Sequence, residues 1–267
     1  MAKKIGIIGV GVVGSAVQSV ISGAFLYDKY KNIGSAKDVN QADIVFICVN
    51  TPYLKDKGFD ISAVDDAISI LEGEKIAVIK STVLPGSTDK MQAKYPQHKL
   101  LFNPEFLRQA YAVEDMAKPS EQIVGCTKQS EPFAREVAEV LPKAPHVFVV
   151  PAKEAEMIKY ASNTFLALKV IFANQIYDVC QKAGINYETI KEMASVSPRF
   201  GFSHFDVMGD GYRGYSGACL PKDVKALIQF GDEIGVPLDI LKTADAINKR
   251  LLLSNGDIPD NLLKLYQ

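Results

Sequence analysis

The first apolar run of this chain, Ile5-Gly6-Ile7-Ile8, leads directly into Gly9-Val10-Gly11-Val12-Val13-Gly14, after which the apolar residues recur with helical spacing. Three glycines in this order between a strand and a helix leave few folds open. The first allows a tight turn, the second lets the backbone approach a pyrophosphate, and the third lets helix and strand pack closely. The N–H groups and dipole at the helix start favour an anion there. Asp28 ends the next apolar run. An acidic residue at that place can hydrogen-bond the ribose hydroxyls of NAD and repel the extra phosphate of NADP. Lys29 and Lys31 stand beside it and leave NADP open.

The same alternation continues through the first half. Strands are expected at Ile5–Ile8, Ala24–Tyr27, Ile44–Val49, Ile76–Ile79, Lys99–Phe102, Gln122–Gly125 and Val147–Val149. Helices are expected at Gly14–Ile21, Ile61–Leu71, Thr88–Lys94 and Glu131–Val140. Nearly continuous apolar strands alternating with helices predict a parallel sheet covered on both faces, the doubly wound α/β architecture of Rossmann type. The pattern changes near Pro151. From Glu154 to Lys182 one helical pattern runs without proline or glycine and stops at Gly184. Shorter helices are expected at Glu188–Ala194, Asp223–Ile234 and Leu238–Leu252. The division is therefore residues 1–150, a dinucleotide-binding domain, and 151–267, a mostly helical domain.

Composition narrows the classes. A net charge of −1 over 267 residues gives no bulk attraction to nucleic acid or to an anionic membrane. The N-terminal apolar run is broken by glycines too early for a signal peptide, and no stretch reaches the length of a membrane helix. A cytoplasmic protein is expected. Cys48, Cys126, Cys180 and Cys219 form no CxxC pair, and with only three histidines no metal site is expected. Each cysteine is then either a small core residue or a reactive one.

Cys219 has the more informative surroundings. It lies in Tyr215-Ser216-Gly217-Ala218-Cys219-Leu220-Pro221-Lys222-Asp223, a glycine-containing loop running into a helix, with Pro221 suited to a first turn. A helix N-terminus and a nearby lysine both favour thiolate over thiol. Taken alone, this pattern fits a buried structural cysteine better than a reactive one. Lys159 and Asn163, four residues apart, share a face of the long helix. On pattern alone they could be its solvent stripe. Ser81-Thr82-Val83-Leu84-Pro85-Gly86 and Asn103-Pro104-Glu105-Phe106-Leu107 each follow a strand, at the sheet edge where open α/β folds bind ligands.

Together these segments resemble the UDP-glucose/GDP-mannose dehydrogenase family. The resemblance rests on Gly9-x-Gly11-x-Val13-Gly14, Val49-Asn50-Thr51-Pro52, Ser81-Thr82-Val83-x-Pro85-Gly86, Asn103-Pro104-Glu105-Phe106-Leu107, Lys159-x-x-x-Asn163 and Gly217-x-Cys219-Leu220-Pro221-Lys222-Asp223, in family order. It implies oxidation of a nucleotide sugar, UDP-glucose foremost, at C6 with NAD as cofactor. Cys219 would hold the sugar as thiohemiacetal and then thioester. Lys159 and Asn163 would stabilise the oxyanion. Glu105 would be the base in hydrolysis, and Asp223 and Thr82 would position water or assist proton transfer. Val10, Val12, Val13, Val49, Thr51, Pro52, Ser81, Thr82 and Lys222 would join the glycines and Asp28 around NAD. Phe106, Leu107, Tyr215 and Gly217 would line the sugar pocket, with Glu105, Lys159 and Asn163. Arg199 would correspond to the arginine that reaches the partner's substrate, at a longer spacing from Cys219 than usual. A homodimer through the helix starting near Glu154 is implied, with no membrane or nucleic-acid partner.

The chain also departs from the family. Family members usually carry a third domain for the nucleotide part of the substrate, and too few residues follow Leu252 to form one. Gln109 stands in place of a glutamate, Ser216 and Ala218 in place of a glycine and a serine, and Asp210 near an expected lysine. The sugar and base are left open. Two other readings compete: a β-hydroxyacid-type dehydrogenase acting on a smaller substrate, and a catalytically impaired NAD-binding partner protein.

Overall fold

The computed structural model describes residues 3–201, 203–209 and 211–254. The chain divides into two compact units, one formed by residues 1–52 and 60–159, the other by 53–59 and 160–267. In the first unit, β1 (Ile5–Ile8) runs into α1 (Val12–Val20), followed by β2 (Phe25–Asp28), the short β3 (Ile33–Gly34), α2 (Ala36–Val39) and β4 (Ile44–Ile47). The short strands β5 (Tyr53–Leu54) and β6 (Gly58–Phe59) belong to the second unit. The first unit then resumes with α3 (Ser62–Ser69), β7 (Ile76–Ile79), α4 (Ser87–Lys94), β8 (Lys99–Phe102), α5 (Ala112–Ala117), β9 (Glu121–Cys126), α6 (Ala134–Val140) and β10 (His146–Pro151).

The strands form one eight-stranded sheet in the order β10-β9-β8-β7-β4-β1-β2-β3. Alternate strand residues enter two cores. Val45, Ile47, Ala77, Ile79, Leu100 and Phe102 face one side, where Val39 of α2, Val64 and Ile68 of α3 and Met91 of α4 cover them. Ile5, Ile7, Ile44, Phe46, Val78 and Leu101 face the other, under Ala16 and Val17 of α1, Met116 of α5 and Val137 of α6. A period of two with both sets apolar is what a sheet covered on both faces requires. The chain leaves β1 toward β2 on one side and toward β4 on the other, so the strand order reverses between β1 and β4.

The sheet is mixed rather than wholly parallel. β9 runs antiparallel to β8, and β3 antiparallel to β2. Returning to the start of a parallel strand takes a long crossover, usually through a helix. Between β8 and β9 much of the chain goes into the Asn103–Leu107 loop, and α5 has only six residues. The next strand therefore starts at the edge where β8 ended. Apolar alternation carries no strand direction, so the pattern could not reveal this.

The second unit is mostly helical. α7 (Ala152–Ala183) has 32 residues, roughly 48 Å, and begins in the first unit. It is followed by α8 (Tyr187–Val196), α9 (Leu220–Glu233) and α10 (Asp239–Ser254). Ala167, Ile171, Tyr215, Val224, Ala244 and Leu251 form one core. Ala173, Cys180, Tyr187, Phe205 and Val207 form another. The β5–β6 hairpin, not expected from the sequence, sits on α9, where the Phe59 amide donates to Gln229 Oε1 at 3.0 Å. Among the described residues no helix is long and apolar enough to cross a membrane.

Candidate active site

The glycine loop is built by backbone. Gly9 lies at φ +88°, and a Cβ there would stand 2.6 Å from the Cys48 carbonyl oxygen. A Cβ on Gly14 would meet the Gly9 carbonyl at 1.9 Å, whereas one on Gly11 meets nothing within 4 Å. Gly11 is the N-cap of α1 and supplies no side-chain cap, so the first-turn amides of α1 are left for an incoming acceptor. Open space above Gly11 and uncapped amides fit the pyrophosphate of a dinucleotide. Val10 is buried, Val13 half-buried and Val12 exposed.

Asp28 is already engaged in this loop. Its Oδ2 accepts from the Val10 amide at 2.8 Å, and its Oδ1 from the Tyr30 and Lys31 amides at 3.0 Å each. Burial pushes the carboxyl up, but the three amides and the Lys31 charge outweigh it and hold it below the usual range. Lys31 donates to the Val10 carbonyl at 2.6 Å. One of the two lysines that left NADP open is thus drawn to the same loop.

The neighbouring loops lie at the carboxyl edge of the sheet. Thr51 is buried, Val49 half-buried and Pro52 exposed. Ser81 Oγ donates to the Val49 carbonyl at 2.7 Å, tying the end of β7 to that of β4, and Thr82 is buried beside it. Lys80, at the end of β7, donates to Asn103 Oδ1 at 2.5 Å, and Asn103 Nδ2 donates to the Ile123 carbonyl at 2.7 Å. Burial pushes the Lys80 ammonium down. The sequence reading did not single out Lys80, though a lysine closing a wholly apolar strand was a visible signal.

Lys159 and Asn163 are buried, which rules out a solvent stripe. Lys159 Nζ donates to the Glu105 backbone carbonyl at 2.5 Å and to Glu105 Oε1 at 3.0 Å, and lies 5.3 Å from the Phe106 ring centre. The Leu107 amide donates to Glu105 Oε2 at 2.8 Å. Burial pushes the Glu105 carboxyl up, but Lys159, the Leu107 amide and Lys80 together hold it below its usual range. Glu105, Phe106 and Leu107 line a cleft of about 360 Å³ with Lys80, Arg108 and Gln122.

In the second unit, Cys219 is exposed and is the N-cap of α9, with Pro221 in its first turn. Asp223 is fully buried. Its Oδ2 accepts from Asn163 Nδ2 at 2.6 Å and its Oδ1 from Lys222 Nζ at 2.5 Å. Lys222 also lies 5.7 Å from the Phe59 ring centre. Gly217 is exposed in the loop before α9, and Ser216 shares a hydrogen bond with the Tyr212 hydroxyl. Tyr215, expected to line a sugar pocket, is 2% exposed and packs in the core. Its amide donates to Asn248 Oδ1 at 2.7 Å, so it anchors the loop. Arg199 and Gln109 are exposed. Asp210 lies outside the described residues.

Comparison with known proteins gives a consistent result. The model described as UDP-glucose/GDP-mannose dehydrogenase family, NAD binding domain, matches residues 16–142. The central-domain model of the same family matches 153–250. The UDP-glucose 6-dehydrogenase of Rickettsia typhi is 34% identical over 231 residues, covering 83% of this chain and 52% of that protein. The chain thus spans about half the length of the curated relatives it matches. A UDP-glucose dehydrogenase structure from Pyrobaculum islandicum aligns at a TM-score of 0.80 and 27% identity, over 94% of this chain and 68% of that one. The 3-hydroxyisobutyrate dehydrogenase of Mycobacterium tuberculosis shares the fold at a TM-score of 0.72 and 16% identity, over 99% of this chain and 98% of that one.

Proposed function

The chain belongs to the UDP-glucose/GDP-mannose dehydrogenase family, and from that premise we propose that it oxidises a nucleotide sugar, UDP-glucose foremost, at its C6 alcohol to the uronic acid. NAD, when bound, takes up the electrons of both oxidations, one molecule for each. The Gly9–Gly14 loop and Asp28 would hold it, with Val49, Thr51, Pro52, Ser81, Thr82 and Lys222. The observation that carries this reading is the pairing of buried polar groups on α7, Lys159 with Glu105 and Asn163 with Asp223. Buried ion pairs are weak contributors to stability, and apolar residues of similar volume often do as well. Groups that cost this much to bury and add so little to stability are candidates for chemistry.

The Cys219 thiolate adds to the C6 aldehyde, forming a C–S bond and moving charge onto the carbonyl oxygen. The Lys159 ammonium and the Asn163 amide stabilise that charge. Oxidation of the thiohemiacetal leaves a thioester on Cys219. Water then attacks, Glu105 takes its proton, the C–S bond breaks and the thiolate departs. Lys159 is also what holds the Glu105 carboxyl low. As Lys159 turns toward the oxyanion, Glu105 becomes the stronger base that hydrolysis needs. Both Asp223 oxygens are engaged, so Asp223 acts by holding Asn163 and Lys222. Thr82 remains the group to orient water. Phe106 and Leu107 offer the sugar one wall of the cleft beside Glu105.

A homodimer through α7 belongs to the same proposal. Ile158, Phe165, Phe172 and Val179 are exposed at seven-residue spacing, a stripe that keeps to one side of a helix. Phe172→Asp is expected to shift the sedimentation mass from two chains to one; an unchanged mass removes α7 from the interface.

The test of function is NADH release with a panel of sugar nucleotides. Two NADH per sugar, abolished in Cys219→Ala, supports the reading. No turnover by folded, NADH-binding protein contradicts it. The whole-length likeness to a two-domain hydroxyacid dehydrogenase fold favours a second reading, oxidation of a small β-hydroxy acid. That chemistry needs no nucleophile, so activity that survives Cys219→Ala selects it.

A further inference from the structure

Glu156 has no part in the scheme above, yet it is 0% exposed. It precedes Lys159 by three residues and so lies one turn earlier on the same face of α7. Its Oε1 accepts from the Thr88 amide at 2.8 Å and from the Thr88 hydroxyl at 2.6 Å. Its Oε2 accepts from the Gly86 amide at 2.5 Å. These donors stand at the start of α4, directly after the Ser81–Gly86 turn.

The arrangement calls for an anion. Two amides and a hydroxyl converge on two oxygens, and an ionised carboxylate accepts at both without presenting a proton of its own. Such a group is costly to bury. Burial pushes the carboxyl up to about 7, against the lowering effect of the Thr88 and Gly86 bonds, and Asp89 of α4 adds to the rise. A neutral contact could join α7 to α4 at lower cost. What the carboxylate adds is a fixed grip at two points, Gly86 at the end of the turn and Thr88 in the first turn of α4.

That turn carries Ser81 and Thr82. Ser81 in turn holds the Val49 carbonyl, so the turn after β7 is joined to the Val49–Pro52 loop after β4. Lys159, one turn further along α7, grips the Asn103–Leu107 loop through Glu105. Successive turns of one helix thus hold two loops at the carboxyl edge of the sheet.

We propose that Glu156 is a positioning residue that fixes the Ser81–Gly86 turn against α7 so that the turn meets the dinucleotide in register. The inference rests on the proposed reading only in taking that turn as part of the NAD site. Glu156→Gln keeps the size and sets an amide NH₂ against the Gly86 amide, donor against donor. The expected result is faster hydrogen exchange at Gly86 and Thr88, together with an NADH affinity lower by on the order of 10-fold in a fluorescence titration. Thr88→Val removes one donor and leaves both amides bound. It is expected to weaken NADH by about 3-fold, and it decides the matter if the Gln variant does not fold. Wild-type NADH affinity in the folded variants overturns the proposal, whatever the exchange rates. A wild-type protein that binds NADH but oxidises no sugar nucleotide defeats the functional reading, and the titration still decides the role of Glu156.

Discussion

The glycine loop and the polar face of α7 stand at the same sheet edge of the first unit and are made in opposite ways. The loop is shaped by what is missing: without side chains Gly9 and Gly14 close a turn that any Cβ would break, and Gly11 leaves an open surface. The face of α7 is shaped by what is present, with Glu156 and Lys159 each holding a distant loop by charge-assisted hydrogen bonds. The loop therefore depends on close backbone approach, of Gly14 to Gly9 and of Gly9 to Cys48. The helix face depends on partners 54 and 68 to 70 residues away. Damage to the first should be steric and local; damage to the second should be electrostatic and depend on pH.

The largest effect is expected at Lys159. Lys159→Met leaves the buried Glu105 carboxylate without its ammonium, at a cost of about 3–5 kcal/mol. Its pH dependence separates charge from packing. In the wild type the Glu105 carboxyl lies below its ordinary value of 4.5, so its contribution to stability is fully present above that value and is lost as pH falls through the lower folded value. In the variant burial is opposed only by the Leu107 amide and Lys80. The carboxyl is then expected to rise, and stability to fall as pH increases through the window above 4.5. Denaturant titrations over that range check the sign. A variant that follows the wild-type profile, merely shifted, would mean that Lys159 matters for packing alone.

Gly14→Ala comes next, with about 2–3 kcal/mol lost because the Gly9 carbonyl cannot retreat far. Gly11→Ala is the sharper comparison. Nothing stands within 4 Å of the new methyl, so stability is expected to stay within about 0.5 kcal/mol of wild type. NADH affinity, by contrast, is expected to fall about 10-fold, or about 1.4 kcal/mol. Equal losses of stability in the two variants would break the distinction between a turn glycine and a surface glycine. The smallest effect is expected at Asp28, whose carboxylate already serves three amides. Asp28→Asn should lower the preference for NAD over NADP by a few-fold, roughly, through loss of the charge. Competition titrations with both nucleotides measure it.

The same contrast explains what the sequence could reveal. β1, β7 and β8 lie where the apolar runs put them, and the glycine loop was legible because its parts are adjacent. The β5–β6 hairpin was not, since its strands have two residues each and its anchor, Gln229, lies 170 residues from Phe59. The reversed β9 was hidden because alternation records burial and not direction. Cys219, Lys159 and Glu105 were flagged by motif, but their pairings were not, because no local spacing joins Lys159 to Glu105 or Asn163 to Asp223. Glu156 could have been found: an acidic residue one turn before Lys159, next to Ala155 on the buried face, has no solvent to justify it.

The central claim is that Cys219 carries the substrate covalently. The direct test is intact mass spectrometry of Glu105→Gln protein incubated with NAD and UDP-glucose. With the hydrolytic base removed, the chain is expected to gain the mass of the acylated sugar nucleotide, mapped to the peptide containing Cys219 and released by hydroxylamine. NADH formation with no adduct on that peptide would contradict the account.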